Sequence, residues 1–189
     1  MPFQGNLFER LSAAAAKVKT PALVALAEDA TLPIALLHDI CYDQKHGTVA
    51  FRAAWVLEHI ATHYPDRFMP IFDAFLSRLP EQRNVSCQRH FTKIVMCITH
   101  PKAPKPYQNA FATIDHEQLV EILFSWLIAP RAPVAVQVNC IAALFNMCDE
   151  IKWLAAELKQ QTAFLLKDGS AAMQSRGKKI MAKLARSKF

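Results

Sequence analysis

Apolar residues recur every three to four positions along most of this chain, and the pattern comes back in blocks. The segment Phe51-Arg-Ala-Ala-Trp-Val-Leu-Glu-His-Ile60 aligns with Gln88 to Cys97, then with Val138 to Met147, then with Ser175 to Leu184. In this alignment Leu57, Ile94, Leu144 and Met181 share a column. So do Ile60, Cys97, Met147 and Leu184, and Ala61, Ile98, Cys148 and Ala185. Columns three and four apart fall on one face of a helix, so each block predicts a helix with the same buried stripe. A second set of helices is predicted between the blocks, over Leu32 to Asp43, Arg67 to Leu79, Asp115 to Ile128 and Ile151 to Lys167. Asp115 reads as an N-cap, and Pro70 is placed in a first turn, where a missing N–H costs little. Pro80, Pro130 and Asp168-Gly169 read as stops.

Helix pairs of this kind bury their apolar faces only by stacking, which makes the repeat the unit of architecture. The middle spacing is longer than its neighbours. The excess falls in His100 to Ile114, where Pro101, Pro104 and Pro106 predict a loop. The resulting expectation is a single all-α domain over 1–189. Residues 1–30 form an irregular cap of two short helical stretches, Phe3 to Val18 and Pro21 to Asp29. Four pairs follow over 31–65, 66–114, 115–149 and 150–189, about five pairs in all.

Three of these segments resemble a known repeat. Phe68-Met-Pro-Ile-Phe-Asp-Ala-Phe-Leu76 resembles a HEAT first helix with its early Pro. Phe51-Arg-Ala-Ala-Trp-Val-Leu57 and Cys87-Gln-Arg-His-Phe-Thr-Lys-Ile94 resemble the second helix. Asn139 stands where the third of these blocks would carry Arg. The resemblance to HEAT-repeat, armadillo-like proteins implies an α-α superhelix (solenoid) whose second helices line a concave, partner-holding surface.

Those second helices carry a polar line at positions i, i+7 and i+11. It runs through Arg52, His59 and His63, then Arg89, Met96 and His100 with Lys93 beside them. It continues through Asn139, Asn146 and Glu150, and ends on Arg176, Lys183 and Ser187 with Lys179 adjacent. The candidate binding stripe is therefore Arg52, His59, His63, Arg89, Lys93, His100, Asn139, Asn146, Arg176, Lys179 and Lys183. Solvation of an amphipathic helix produces polar lines too, and the two explanations compete. The loop offers a second candidate in Lys102, Lys105 and Tyr107, because insertions into regular arrays tolerate functional change.

Charge adds one correction to this picture. The chain has a net charge of +6 and a pI near 9.2, which would suggest nucleic acid. Six bases after Gly169 (Arg176, Lys178, Lys179, Lys183, Arg186 and Lys188) carry all of it, and the remaining 16 bases balance the 16 acids. Composition, at 52% apolar and 20% charged, excludes a disordered chain. The apolar run Leu119 to Val138 is broken by Glu121, Pro130, Arg131 and Pro133, so no membrane span is expected. Glu9 and Arg10 stand where an apolar secretory core would lie, and the five cysteines form no CxxC pair. A cytoplasmic protein with reduced core cysteines is expected.

Catalytic chemistry is thin. His59 and His63 have metal-ligand spacing but lack a local third ligand. His38-Asp39 beside Cys41 is not an oriented nucleophile, and His90 lies in a small-residue column as a hydrogen-bonded buried histidine. Trp55, Trp126 and Trp153 read as core or repeat-interface anchors. No cofactor and no metal are expected. The reading is a non-catalytic HEAT-type scaffold for a protein partner with an acidic surface or peptide. The alternative is a nucleic-acid-binding solenoid using the Arg line and the basic last helix. Behind both stands an alkylpurine DNA glycosylase-like enzyme, a class built on similar solenoids with Trp, Asp and Arg in a basic groove, to which Trp55 and Arg52 correspond in kind. Oligomeric state has no signature in the sequence.

Overall fold

A computed structural model describes residues 2–13 and 20–187, so Val18 and Lys188 lie outside the described residues. All regular structure described is helical. The helices are α1 (Pro2–Ala13), α2 (Thr20–Glu28), α3 (Ile34–Ile40), α4 (Gly47–His63), α5 (Pro65–Phe68), α6 (Phe72–Ser77), α7 (Val85–Ile98), α8 (Lys105–Phe111), α9 (His116–Leu127), α10 (Val134–Asn146), α11 (Leu154–Leu166) and α12 (Ala171–Leu184). The chain forms two compact units, Met1–Ile94 and Val95–Phe189.

In the first unit α4 is the central helix, packed against α1, α2, α3 and α5. Its stripe is buried as the repeat columns require: Ala53, Leu57, Ile60 and Ala61 are all sealed from solvent. Phe68, Phe75 and Phe91 complete the core, with ring centroids 5.2 Å (Phe68–Phe75) and 5.0 Å (Phe75–Phe91) apart. Each such ring stabilises the fold by about 2–3 kcal/mol through burial alone. The helix expected over Arg67 to Leu79 is broken. It begins two residues earlier, at Pro65, so Pro70 falls beyond the first turn, and Met69–Ile71 tightens into a 3-10 turn. Arg67 then points back to the end of α2, donating to Ala27 O (2.5 Å) and Asp29 O (2.7 Å). A cation there satisfies carbonyls that α2 itself leaves unpaired.

In the second unit α10 takes the central place, packed against α9, α11 and α12. Asp115 caps α9, its Oδ1 accepting from Gln118 N at 3.0 Å, as the sequence predicts. Ser170 caps α12 in the same way, accepting from Met173 N at 3.4 Å. Gly177 lets α12 approach α11 closely: a Cβ there would meet Leu166 Cδ2 at 3.0 Å. The expected loop is the clearest departure. Pro104 precedes α8 and Pro106 occupies its first turn, the one place in a helix where proline fits. Tyr107, expected on an accessible loop, is fully buried. Trp153 departs too: Trp126 is buried, whereas Trp153 is 50% exposed and lies against Phe124 with centroids 6.5 Å apart.

Candidate functional site

The predicted stripe divides between the two units, and its members behave differently in each. In the first unit most are already engaged. Arg52 Nη1 donates to Leu11 O at 3.3 Å, tying α4 to α1. His59 lies stacked between Trp55 and His63, with centroid distances of 5.6 and 4.1 Å, and His63 Nδ1 donates to His59 O at 2.9 Å. Burial, and then the neighbouring His63, lower the His59 pKa. Lys93 Nζ is paired with Glu58 Oε1 at 2.9 Å. His90, buried as the sequence predicts, donates from Nδ1 to Glu58 Oε2 at 2.5 Å. Burial pushes the Glu58 carboxyl up, but the hydrogen bonds from His90 and Lys93 outweigh it, and its pKa is lowered. Arg89 is exposed on α7.

In the second unit five members come together. Ser170 fixes the start of α12, and with it the phase of the helix. Arg176, Lys179 and Lys183 follow at three- and four-residue steps on one face. They line a groove of about 450 Å³ together with His100 and Asn146. Met96, Ala142, Phe145 and Ile180 supply apolar surface to the same groove, and among the described residues no carboxylate lines it. Arg176, Lys179, Lys183 and His100 are all exposed. Among the described residues no acid forms an ion pair with Arg176 or Lys179 (distance within 4.0 Å). Lys183 Nζ sits over the Phe145 ring, 5.3 Å from its centroid, in cation–π contact. Asn146 Nδ2 donates to Thr99 Oγ1 at 3.2 Å, fixing the groove's wall to the end of α7.

Asn139 corrects the stripe. It shares the Arg52 column, yet it is buried where Arg52 is half-buried, because the short Asn139 side chain does not reach past its neighbours to solvent as the long arginine does. The loop candidates are also redistributed. Lys102 is exposed and its N–H donates to His100 Nδ1 at 3.0 Å; Lys105 Nζ donates to Gln108 Oε1 at 2.9 Å. Phe145, Ser175 and Ile180 are groove residues that the polar line passes over. Each adjoins one of its members in sequence, and that adjacency was the available signal.

The arrangement offers exposed cations over an apolar floor, a surface suited to binding an anion-bearing partner. It presents no nucleophile with an oriented base. Among the described residues no three His, Cys, Asp or Glu side chains gather to hold a metal ion. The five cysteines are free thiols, four of them buried. Burial raises the Cys87 and Cys148 pKa values to about 12. None of the described helices is long and apolar enough to cross a membrane.

No curated protein and no solved structure matches the chain. A family model described as HEAT repeat domain matches residues 7–184. That match covers nearly the whole chain, the groove included, and the chain belongs to the HEAT-repeat family, an all-α solenoid of stacked helix pairs.

Proposed function

We propose that this HEAT-repeat chain is a non-catalytic interaction scaffold, and that the basic groove of its second unit receives an acidic segment of a partner protein. The observation that carries this reading is the groove's composition. His100, Arg176, Lys179 and Lys183 surround Met96, Ala142, Phe145 and Ile180, and among the described residues no carboxylate lines the groove with them. Apolar floor and cationic rim together suit a peptide with carboxylates flanking an apolar side chain, since the floor supplies burial and the rim steering. Buried free thiols with raised pKa values fit a reducing cytoplasm, which is the proposed location.

The test is fluorescence anisotropy with a labelled Glu-rich peptide containing one Leu, and separately with duplex DNA and RNA, at low and physiological salt. An Arg176→Glu, Lys179→Glu double variant serves as the control, its fold checked by far-ultraviolet circular dichroism. The expected result is peptide binding that weakens at least about tenfold in the variant, about 1.4 kcal/mol. Nucleic acid bound more tightly than the peptide, lost in the same variant, would replace the protein partner. Its affinity would then fall with salt at a log–log slope near −0.9 per phosphate contact on duplex DNA.

A further inference from the structure

The basic groove does not end at His100 and Asn146. The same two residues line a second cavity of about 330 Å³, so the two meet there. This neighbour has the opposite character. Asp149 and Glu150, both exposed, line it, with Thr99, Gln108, Phe111 and His116. His116 is held against its wall, stacked on Phe111 at 4.4 Å and donating from Nε2 to Phe111 O at 2.7 Å. Three helices end on this cavity, α7 at Ile98, α8 at Phe111 and α10 at Asn146, and α9 begins on it at His116. A helix C-terminus carries partial negative charge and an N-terminus partial positive charge, so the three ends outnumber the one start and add to the field of the two carboxylates. At the far end, α12 contributes Arg176, Lys179 and Lys183 without a carboxylate.

We infer that the two cavities form one charge-polarised docking groove, and that the partner is a protein segment with acidic residues at one end and a Lys or Arg at the other. This rests on the reading of the basic groove as an acidic-segment site and adds to it the partner's charge order. Charge complementarity selects the occupant. A phosphate backbone following the groove from Arg176 would run into Asp149, Glu150 and the helix C-termini beside them, and a uniformly acidic peptide would meet the same repulsion. A segment whose charge reverses within a few residues satisfies both ends. The insertion between α7 and α9 supplies the wall that makes the second cavity, through Gln108, Phe111 and Ala112 of α8 and the residue after it.

The experiment uses the full chain and labelled peptide probes in an anisotropy titration. One set joins a Glu-rich half containing a Leu to a Lys-rich half, synthesised in both orders because the chain direction in the groove is free. A second set joins the same Glu-rich half to a Gln-rich half. The better Glu–Lys probe is expected to bind at least about fivefold more tightly than its Glu–Gln counterpart, about 1 kcal/mol, the scale of a pair of exposed ion pairs. An Asp149→Asn, Glu150→Gln variant is expected to erase that difference and leave Glu–Gln affinity unchanged or improved. Equal binding of both probes to the native chain would overturn the charge order while leaving the acidic-segment site standing. Absence of binding by either probe would overturn both.

Discussion

His38 is 2% exposed and packs against the rings of Tyr42, Phe75 and Phe91, with centroids 5.3, 5.9 and 6.3 Å away. Its Nε2 has no hydrogen-bond partner among the described residues. Burial, and then the nearby Arg78 charge, lower its pKa from 6.5 to about 4. The unfolded chain therefore takes up a proton near pH 6.5 that the folded chain refuses until about pH 4, and stability falls as pH drops through that window. Urea denaturation at pH 7 and pH 5 is expected to show a loss of about 2 kcal/mol, and His38→Leu to flatten it; an unchanged slope in the variant would assign the titration elsewhere. Glu58 makes a second case. It is the shared partner of buried His90 and exposed Lys93, so the two sides of the pairing carry different weight. Glu58→Ala is expected to cost about 2–3 kcal/mol by leaving His90 without its acceptor, whereas Lys93→Ala costs under about 1 kcal/mol. The same urea titrations distinguish them.

Helices of this chain are set by a few local signals, and those signals were legible to different degrees. Leu57, Ile94 and Leu144, aligned by spacing alone, are all fully buried, and Asp115 caps the helix it was expected to cap. The small-residue column was legible as well. Ala53 and Cys140 are buried, and Gly177 brings α12 onto Leu166 and Thr162 of α11. Gly177→Val would push a branched side chain into Leu166, and overpacking of this kind costs about 1–3 kcal/mol. A lowered urea midpoint with unchanged slope checks it, and a midpoint at the native value would mean that α11 and α12 yield at no cost. Prolines were harder to read. Pro70 was expected in a first turn, and Pro104 and Pro106 were expected to prevent a helix. What decides is where each proline falls relative to a helix start, and a shift of two residues reverses the outcome. Pro70 landed past its first turn and broke the helix, while Pro106 landed inside one and was tolerated.

At the scale of the molecule, the stacked-pair architecture could be read from the repeat, although the expected stripe is fully buried only in part: Cys97 and Met181 are half-buried and Ala185, on the last helix, is exposed. The candidate site could be read only in part. His100, Asn146, Arg176, Lys179 and Lys183 do converge on one groove. Asn139 does not, because a shared column fixes the face of a helix and not the reach of the side chain on it: the short Asn139 is buried where the long Arg52 is half-buried. Opposing charge was present in the sequence, since Glu150 stands in the polar line itself with Asp149 beside it. Its meaning required the second cavity, whose wall is an insertion that the prolines disguised.

That insertion has its own anchor. Tyr107 is sunk in the core, Gln108 Nε2 ties back to Ala103 O at 2.7 Å, and the Asp115 cap restarts the regular stack immediately afterwards. Phe111 and Ala112 can therefore be exchanged while Tyr107, Gln108 and the flanking turns stay as they are. For protein engineering, α8 is an interchangeable cassette: the place to retool what this scaffold selects without rebuilding the scaffold itself.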